Sequence, residues 1–289
     1  MKVLVSGASG FLGSQLVPAL RARGHEVRSL GRAGADHDWS PASLEQGVGW
    51  CEGIVALAGE NILGARWNPE VKQRLWSSRF ETTRALATLA ARHGTRVFVG
   101  ASAVGFYGPR GDEALDERAE RGRDFVAQLC GDWEEALAPA AAAGVRCVSP
   151  RIGVVLGRGG GVLARLLPIF RLGLGGPVGD GRQWFSWIHS GDLVALLVNL
   201  LEQESARGVY NATAPGPVTM REFARTLGRV LHRPALFPVP AFALRLRFGE
   251  GASVMLTGQR VLPVRAQAEG FHFAHPTLEG ALADLTRRA

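Results

Sequence analysis

Residues 7–13 read Gly-Ala-Ser-Gly-Phe-Leu-Gly and follow a short apolar run, Val3-Leu4-Val5. A helical pattern from Phe11 to Arg23 comes after them, so the segment predicts strand, glycine turn and helix from the second residue onward. Gly7 permits a tight bend, Gly10 lets the main chain approach a pyrophosphate, and Gly13 lets helix and strand pack closely. Ser9, Phe11 and Leu12 complete a loop whose N–H groups face an anion at the positive end of the helix. The next strand, His25 to Leu30, ends in Gly31-Arg32. A site for NAD places an acid there to accept from the ribose hydroxyls, but no acid occurs from Arg28 to Ala35. Arg32, with Arg28 close by, suits the 2′-phosphate of NADP through charge-assisted bonds. The expected cofactor is therefore NADP (NADPH).

The elements needed to hold such a site follow in order. Gly53 to Gly59 is a buried strand ending in small residues. Asn68-Pro69-Glu70 starts a helix that runs to about His93, with Asn as cap and Pro at the first position. Thr95–Gly100 is a strand, Asp124–Ala143 a helix and Val145–Pro150 a strand. This alternation predicts an α/β chain, a Rossmann-like doubly wound parallel sheet with helices on both faces. After Gly157 the texture changes to a glycine-rich, aromatic stretch. Residues 158–187 and 213–289 are expected to form a smaller, mainly helical substrate-side lobe. Residues 1–157, completed by about 188–212, form the nucleotide-binding domain.

Composition narrows the function classes. With 289 residues, 46% of them hydrophobic, the chain can bury a sizeable core. No run of about 18 uncharged apolar residues occurs, and the chain starts directly on strand and motif, so neither a membrane span nor a signal peptide is expected. Cys51, Cys130 and Cys147 are widely spaced in apolar settings and read as reduced thiols of a cytoplasmic protein. The net charge of +7 comes from scattered arginines, with lysine limited to Lys2 and Lys72 and no basic run, so no nucleic-acid or membrane partner is expected. No P-loop exists, and Gly100-Ala101-Ser102-Ala103-Val104 fails the hydrolase elbow at its last glycine. His272 and His275 have HxxH spacing but no evident third ligand, so no metal site is expected. The partner is an unidentified small molecule, with the protein a monomer or homodimer.

The ordered motifs resemble one branch of the short-chain dehydrogenases/reductases: atypical, extended, NAD(P)-dependent epimerase-like proteins with a C-terminal domain of unknown function. The matching stretches are Gly7–Gly13, Leu57-Ala58-Gly59-Glu60-Asn61-Ile62, Ser78-Arg79, Ala101-Ser102-Ala103, Arg171 to Pro177, Trp187-Ile188-His189 with Asp192, and Gly258-Gln259-Arg260. The resemblance implies that Gly7, Gly10, Phe11, Leu12 and Gly13 cradle the pyrophosphate and that Arg32 holds the 2′-phosphate. Leu57, Ala58 and Gly59 would line the adenosine side, and Arg79 would face the cofactor. Ala101 and Ser102 would lie beneath the nicotinamide ribose, and Arg151, Ile152 and Gly153 would approach the nicotinamide.

Working members of that superfamily use Tyr-x-x-x-Lys to move protons. Here the motif is absent: four residues after Tyr107 and Tyr210 lie Gly111 and Ala214. The helix beginning near Asp124 puts Phe125 and Leu129 in the two positions. Ser102 and Tyr107 are the candidate catalytic hydroxyls, with Glu60 and His189 behind them. Trp184, Trp187, Phe170 and residues 173–181 are suited to line a substrate pocket. Two functions follow: an NADP(H)-dependent oxidoreductase with other proton carriers, or a non-catalytic NADP(H)-binding sensor.

Overall fold

The computed structural model describes residues 1–32 and 34–287. Six parallel strands form the central sheet: β1 (Lys2–Ser6), β2 (Glu26–Leu30), β3 (Gly53–Ala56), β4 (Val97–Gly100), β5 (Arg146–Ile152) and β6 (Gly208–Ala212). Their spatial order is β6-β5-β4-β3-β1-β2, and the short strand Ser102–Ala103 pairs beside β5 at Arg151 and Ile152. The order reverses between β1 and β3, the switch point where open α/β sheets bind ligands.

Strand residues alternate between two cores, as period-two geometry requires. Val3, Val5, Val55, Val97 and Val99 pack toward α1 (Gly13–Ala22) and, farther along the chain, residues Ser190–Glu202. Leu4, Ile54, Ala56 and Phe98 face the other side, toward α2 (Pro41–Trp50), α3 (Pro69–His93) and residues Ala138–Ala142. Helices thus cover both faces, which makes this a doubly wound, Rossmann-like architecture. α3 begins as its sequence predicts: the Asn68 side chain accepts from the Val71 N–H at 2.8 Å, Pro69 sits in the first turn, and Gly94 ends the helix at φ 67°.

The expected single helix over 124–143 is two: α4 (Phe125–Glu135), capped by Asp124, and α5 (Ala138–Ala142). Pro139 explains the break, since its ring cannot continue a helical hydrogen-bond ladder from α4. Beyond β5 come α6 (Gly161–Arg171), α7 (Ser190–Glu202), α8 (Met220–Val230), α9 (Ala241–Phe248), α10 (Ser253–Leu256), α11 (Val264–Ala268) and α12 (Leu278–Thr286). A third core joins α6, α8 and α12 through Leu163, Phe170, Phe223, Leu227 and Leu282. Two small parallel pairs tie this part to the sheet's carboxyl edge: Trp187–His189 with Val154–Gly157, and Arg260–Val261 with Ala114–Leu115.

Candidate functional site

At the carboxyl end of β1, Gly7 has φ +74°, and a Cβ there would lie 3.0 Å from the Ala58 nitrogen and the Leu57 carbonyl carbon. The turn is therefore pressed against the backbone leaving β3, which explains a glycine on sterics alone. Gly13 is tighter still: a Cβ would overlap the Gly7 carbonyl oxygen and come within 2.6 Å of the Ala8 Cα. Gly10 differs, its only close neighbour being the Gly7 oxygen at 3.1 Å. No side chain caps α1, whose cap position is Leu12. The Ser14 N–H donates to the Gly10 carbonyl at 2.9 Å and the Gln15 N–H to the Leu12 carbonyl at 3.1 Å, so what α1 offers an anion is its positive end behind the glycine turn. Phe11 turns away from the loop and lays its ring on Gly157, Gly160 and Gly161.

Beside this turn lies a cavity of about 310 Å³ whose lining includes Ala8, Ser9, Arg21, Ser29, Gly31 and Arg32. Two guanidiniums, of Arg21 and Arg32, thus meet Ser9, Ser14 and Ser29 at the end of β2. Arg21 was not singled out by the sequence; it reaches the cavity because α1 runs back over β2, where its Nη2 also donates to the Val27 carbonyl at 3.3 Å. Arg28 is displaced from the expected group: its guanidinium stacks 4.2 Å from the Trp50 ring. An acid does approach β2, from just beyond the acid-free stretch Arg28–Ala35. Asp36 folds back to accept from the Ser29 N–H and hydroxyl at 2.7 and 2.8 Å. Those hydrogen bonds hold its carboxyl below the usual range.

Leu57, Ala58 and Gly59 follow β3, with the Ala58 N–H donating to the Ser6 hydroxyl at 3.3 Å. Arg79 fills the space against Gly59 and donates to the carbonyls of Glu60 (2.8 Å) and Leu75 (3.1 Å), so it clamps the loop's backbone. Burial lowers its pKa, with weaker opposition from Cys130 and Glu60. The Glu60 carboxylate pairs with Arg74 at 3.3 Å on the surface.

The carboxyl ends of β4, β5 and β6 carry a connected buried network. Ser102 donates to Glu134 Oε1 at 2.7 Å. Arg151 grips the same carboxylate through Nε (2.8 Å) and Nη2 (2.9 Å). Its Nη1 donates to the Tyr107 hydroxyl at 3.0 Å, and that hydroxyl donates to Asn211 Oδ1 at 2.6 Å. Phe106 covers the guanidinium at 3.4 Å. Burial works against the charge on Arg151, but the Glu134 bonds prevail and its pKa is raised. Burial also raises the pKa of Tyr107, against the pull of Arg151. Tyr107 is fully buried with its donor and acceptor roles both taken, which suits positioning rather than proton transfer. Ala101 donates its N–H to the Ala56 carbonyl at 3.0 Å. Ile152 ends β5, and Gly153 is wedged so that a Cβ would meet the Ser186 oxygen at 2.6 Å. Glu134, Asn211 and Glu117, which accepts from the Asn211 N–H at 3.0 Å, carry no sequence signal because their partners lie far away in the chain.

Phe125 opens α4 and Leu129 lies buried one turn on. Trp67 meets Phe125 edge-on at 5.2 Å, and Val71, Leu75 and Leu129 complete an apolar cluster. Lys72 Nζ comes 5.2 Å from the Phe125 ring, but it is paired with Glu250. The expected aromatic pocket lining is corrected in part. Trp187 and Phe170 are core residues at 0% and 2% exposure, whereas Trp184 remains half-buried and donates to Asp112 at 2.7 Å.

His189 stacks on His275 with ring centroids 3.8 Å apart, and Asp284 Oδ2 lies 3.4 Å from His189 Nε2. These three could gather around a cation. However, His189 Nδ1 accepts the Gly191 N–H at 3.0 Å to cap α7. The neutral ring must then carry its proton on Nε2, which leaves no lone pair there for a metal. Burial pushes the thiols of Cys51 and Cys130 up to about 12 and that of Cys147 to about 11, so none is an activated nucleophile. Among the described residues, no helix is long and apolar enough to cross a membrane.

Comparison with known proteins gives matching assignments. Residues 3–213 match the model of the NAD dependent epimerase/dehydratase family, and residues 239–285 match a domain of unknown function, DUF1731. The chain is 42% identical to mouse epimerase family protein SDR39U1, covering 99% of both proteins. It is also 42% identical to the Arabidopsis thaliana SDR39U1 homolog, described as chloroplastic, covering 98% of this chain and 86% of that protein. Human SDR39U1 (isoform 2), crystallised with NADPH, superposes with a TM-score of 0.91 at 38% identity over 99% of each chain.

Proposed function

The chain belongs to the NAD dependent epimerase/dehydratase family, and from that premise we propose that it binds NADP(H) as an extended-type short-chain dehydrogenase/reductase without the Tyr-x-x-x-Lys dyad. The observation that carries this reading is the cavity between the glycine turn and the end of β2, where Arg32 and Arg21 meet Ser9. Two guanidiniums with hydroxyls suit a 2′-phosphate, and among the described residues that line the cavity there is no acid. Gly7, Ser9, Gly10, Phe11, Leu12 and Gly13 would hold the pyrophosphate. Leu57, Ala58 and Gly59 would flank the adenosine, with Arg79 bracing their loop. Ala101, Ser102, Arg151, Ile152 and Gly153 would form the nicotinamide end. Residues 1–157, completed by 188–212, act as the nucleotide domain, and 158–187 with 213–289 as the substrate side. NADPH, when bound, supplies a hydride.

The proton work falls to the chain. Phe125 and Leu129 stand for the dyad and can transfer none. Ser102 donates to the Glu134 carboxyl group at 2.7 Å, which makes a relay: a substrate hydroxyl gives its proton to Ser102 Oγ as Ser102 passes its own to Glu134. Reduction runs the same path backward. A second reading, an NADP(H) sensor without turnover, is favoured by the 2% exposure of Ser102 and the fully committed Tyr107 hydroxyl. NADPH consumption over a panel of carbonyl substrates separates the two. An oxidoreductase shows turnover that falls by about 10²–10⁴-fold in Ser102→Ala and Glu134→Gln. Tight NADPH binding with no turnover on any substrate leaves the sensor.

A further inference from the structure

Among the described residues nine large apolar side chains stand well out of the surface, and eight of them fall on two stretches of chain. Ile169, Leu172 and Leu174 lie within residues 161–178, and five more, from Leu236 to Leu246, lie within residues 230–249. Backbone hydrogen bonds join the stretches: Phe237 N–H to the Gly175 carbonyl (3.1 Å), Val239 N–H to Pro177 (2.9 Å) and Gly179 N–H to Val239 (2.9 Å). α9 buries none of its side chains. It is fastened from outside, by Arg66 Nη1 to the Leu246 carbonyl at 2.7 Å and by the Trp67 N–H to Phe248 at 3.1 Å. The tips are extreme: Leu236 is 75% exposed, Leu172 74%, Leu246 72% and Phe242 71%.

The charge on these stretches has one sign. They contain Arg165, Arg171, Arg233, Arg245 and Arg247 and no Asp or Glu, in a chain with 26 acidic residues. Among the described residues none of the five arginines enters an ion pair. Protruding apolar side chains mixed with unpaired arginines match the boundary between acyl chains and anionic headgroups. Leucine and phenylalanine enter the apolar side, and arginine stems lie along it with their charged ends at the phosphates. A second copy of this chain fits poorly. A two-fold contact brings the same five arginines together with no acid between them. We propose that residues 161–178 and 230–249 form a docking surface for an anionic lipid bilayer. The face rests on the membrane and does not cross it, which is why a search for long apolar runs passes over it.

Co-sedimentation with phosphatidylcholine vesicles, without and with about a third phosphatidylglycerol, tests the proposal at ~0.1 M salt. We expect about tenfold or greater preference for the anionic vesicles, weakened by added salt. Phe242→Glu with Leu246→Glu should abolish binding, and Arg245→Gln with Arg247→Gln should reduce it by roughly tenfold. Neither pair touches the nucleotide cavity, so unchanged NADPH affinity shows that the variants are folded. Arg84→Gln with Arg225→Gln removes the same charge elsewhere on the surface and should leave binding nearly intact. Equal loss in that control would reduce the effect to net charge and overturn the proposal. So would absence of binding to anionic vesicles, or a dimer by light scattering that Phe242→Glu dissociates.

Discussion

Replacing Tyr107 with phenylalanine removes one oxygen from a fully buried site and leaves two polar groups without partners. Arg151 Nη1 loses its acceptor at 3.0 Å, and Asn211 Oδ1, on a residue with no exposure, loses its donor at 2.6 Å. An unsatisfied buried group costs about 1–3 kcal/mol, and removing the hydroxyl's own desolvation returns part of that, so the net loss is about 2–4 kcal/mol. Arg151 keeps both bonds to Glu134, which bounds the damage. Urea unfolding should therefore show a midpoint lowered at nearly constant m. NADPH affinity should stay within about threefold, because Arg151, at the nicotinamide end, keeps its place on Glu134 and the glycine turn and the Arg32 cavity lie away from Tyr107. Unchanged stability together with a collapse of turnover would refute the reasoning and make Tyr107 a proton carrier.

Gly10→Val and Gly13→Val should separate binding from packing. The first meets only the Gly7 oxygen, at 3.1 Å, and loses NADPH binding while remaining folded; the second strikes the Gly7–Ala8 backbone and loses about 1–3 kcal/mol or more, as melting with and without NADPH would read. Stability should also depend on pH through His189. Burial, then His275, lowers its pKa, so the fold favours the neutral ring that caps α7. Its contribution is complete above the unfolded value and is lost as pH falls below about 6.5. His189→Asn, which keeps a capping oxygen, should flatten that part of the profile; an unchanged slope would count against the cap.

Local patterns carried the main architecture. The glycine turn and the Asn68-Pro69 helix start each encode their element within a few residues, and both stand where periodicity and capping place them. The exceptions have physical causes. α2 hides because Gly47 and Gly49 interrupt its apolar face, although Ser40-Pro41 marks its start. The split between α4 and α5 turns on Pro139. The buried network was half visible: Ser102 and Arg151 lie in strands at the sheet's carboxyl edge and Tyr107 ends the turn Val104–Tyr107 that follows Ser102, whereas Glu134 and Asn211 reach them from 32 and 104 residues away. No spacing rule links residues so far apart. Tyr107 precedes Gly108-Pro109, which alone does not fix whether its hydroxyl is open or enclosed, and the packing shows it enclosed. Arg21 and Asp36 came to β2 by folding back, one from a helix and one from a loop.

The central claim, that Arg32 in place of an acid selects NADP(H), is tested most directly by calorimetric titration of the wild-type protein with NADPH and NADH, repeated on Arg32→Ala. The account predicts that NADPH binds at least about tenfold more tightly than NADH and that Arg32→Ala removes most of that preference. Equal affinities of the wild-type protein for the two nucleotides would contradict it.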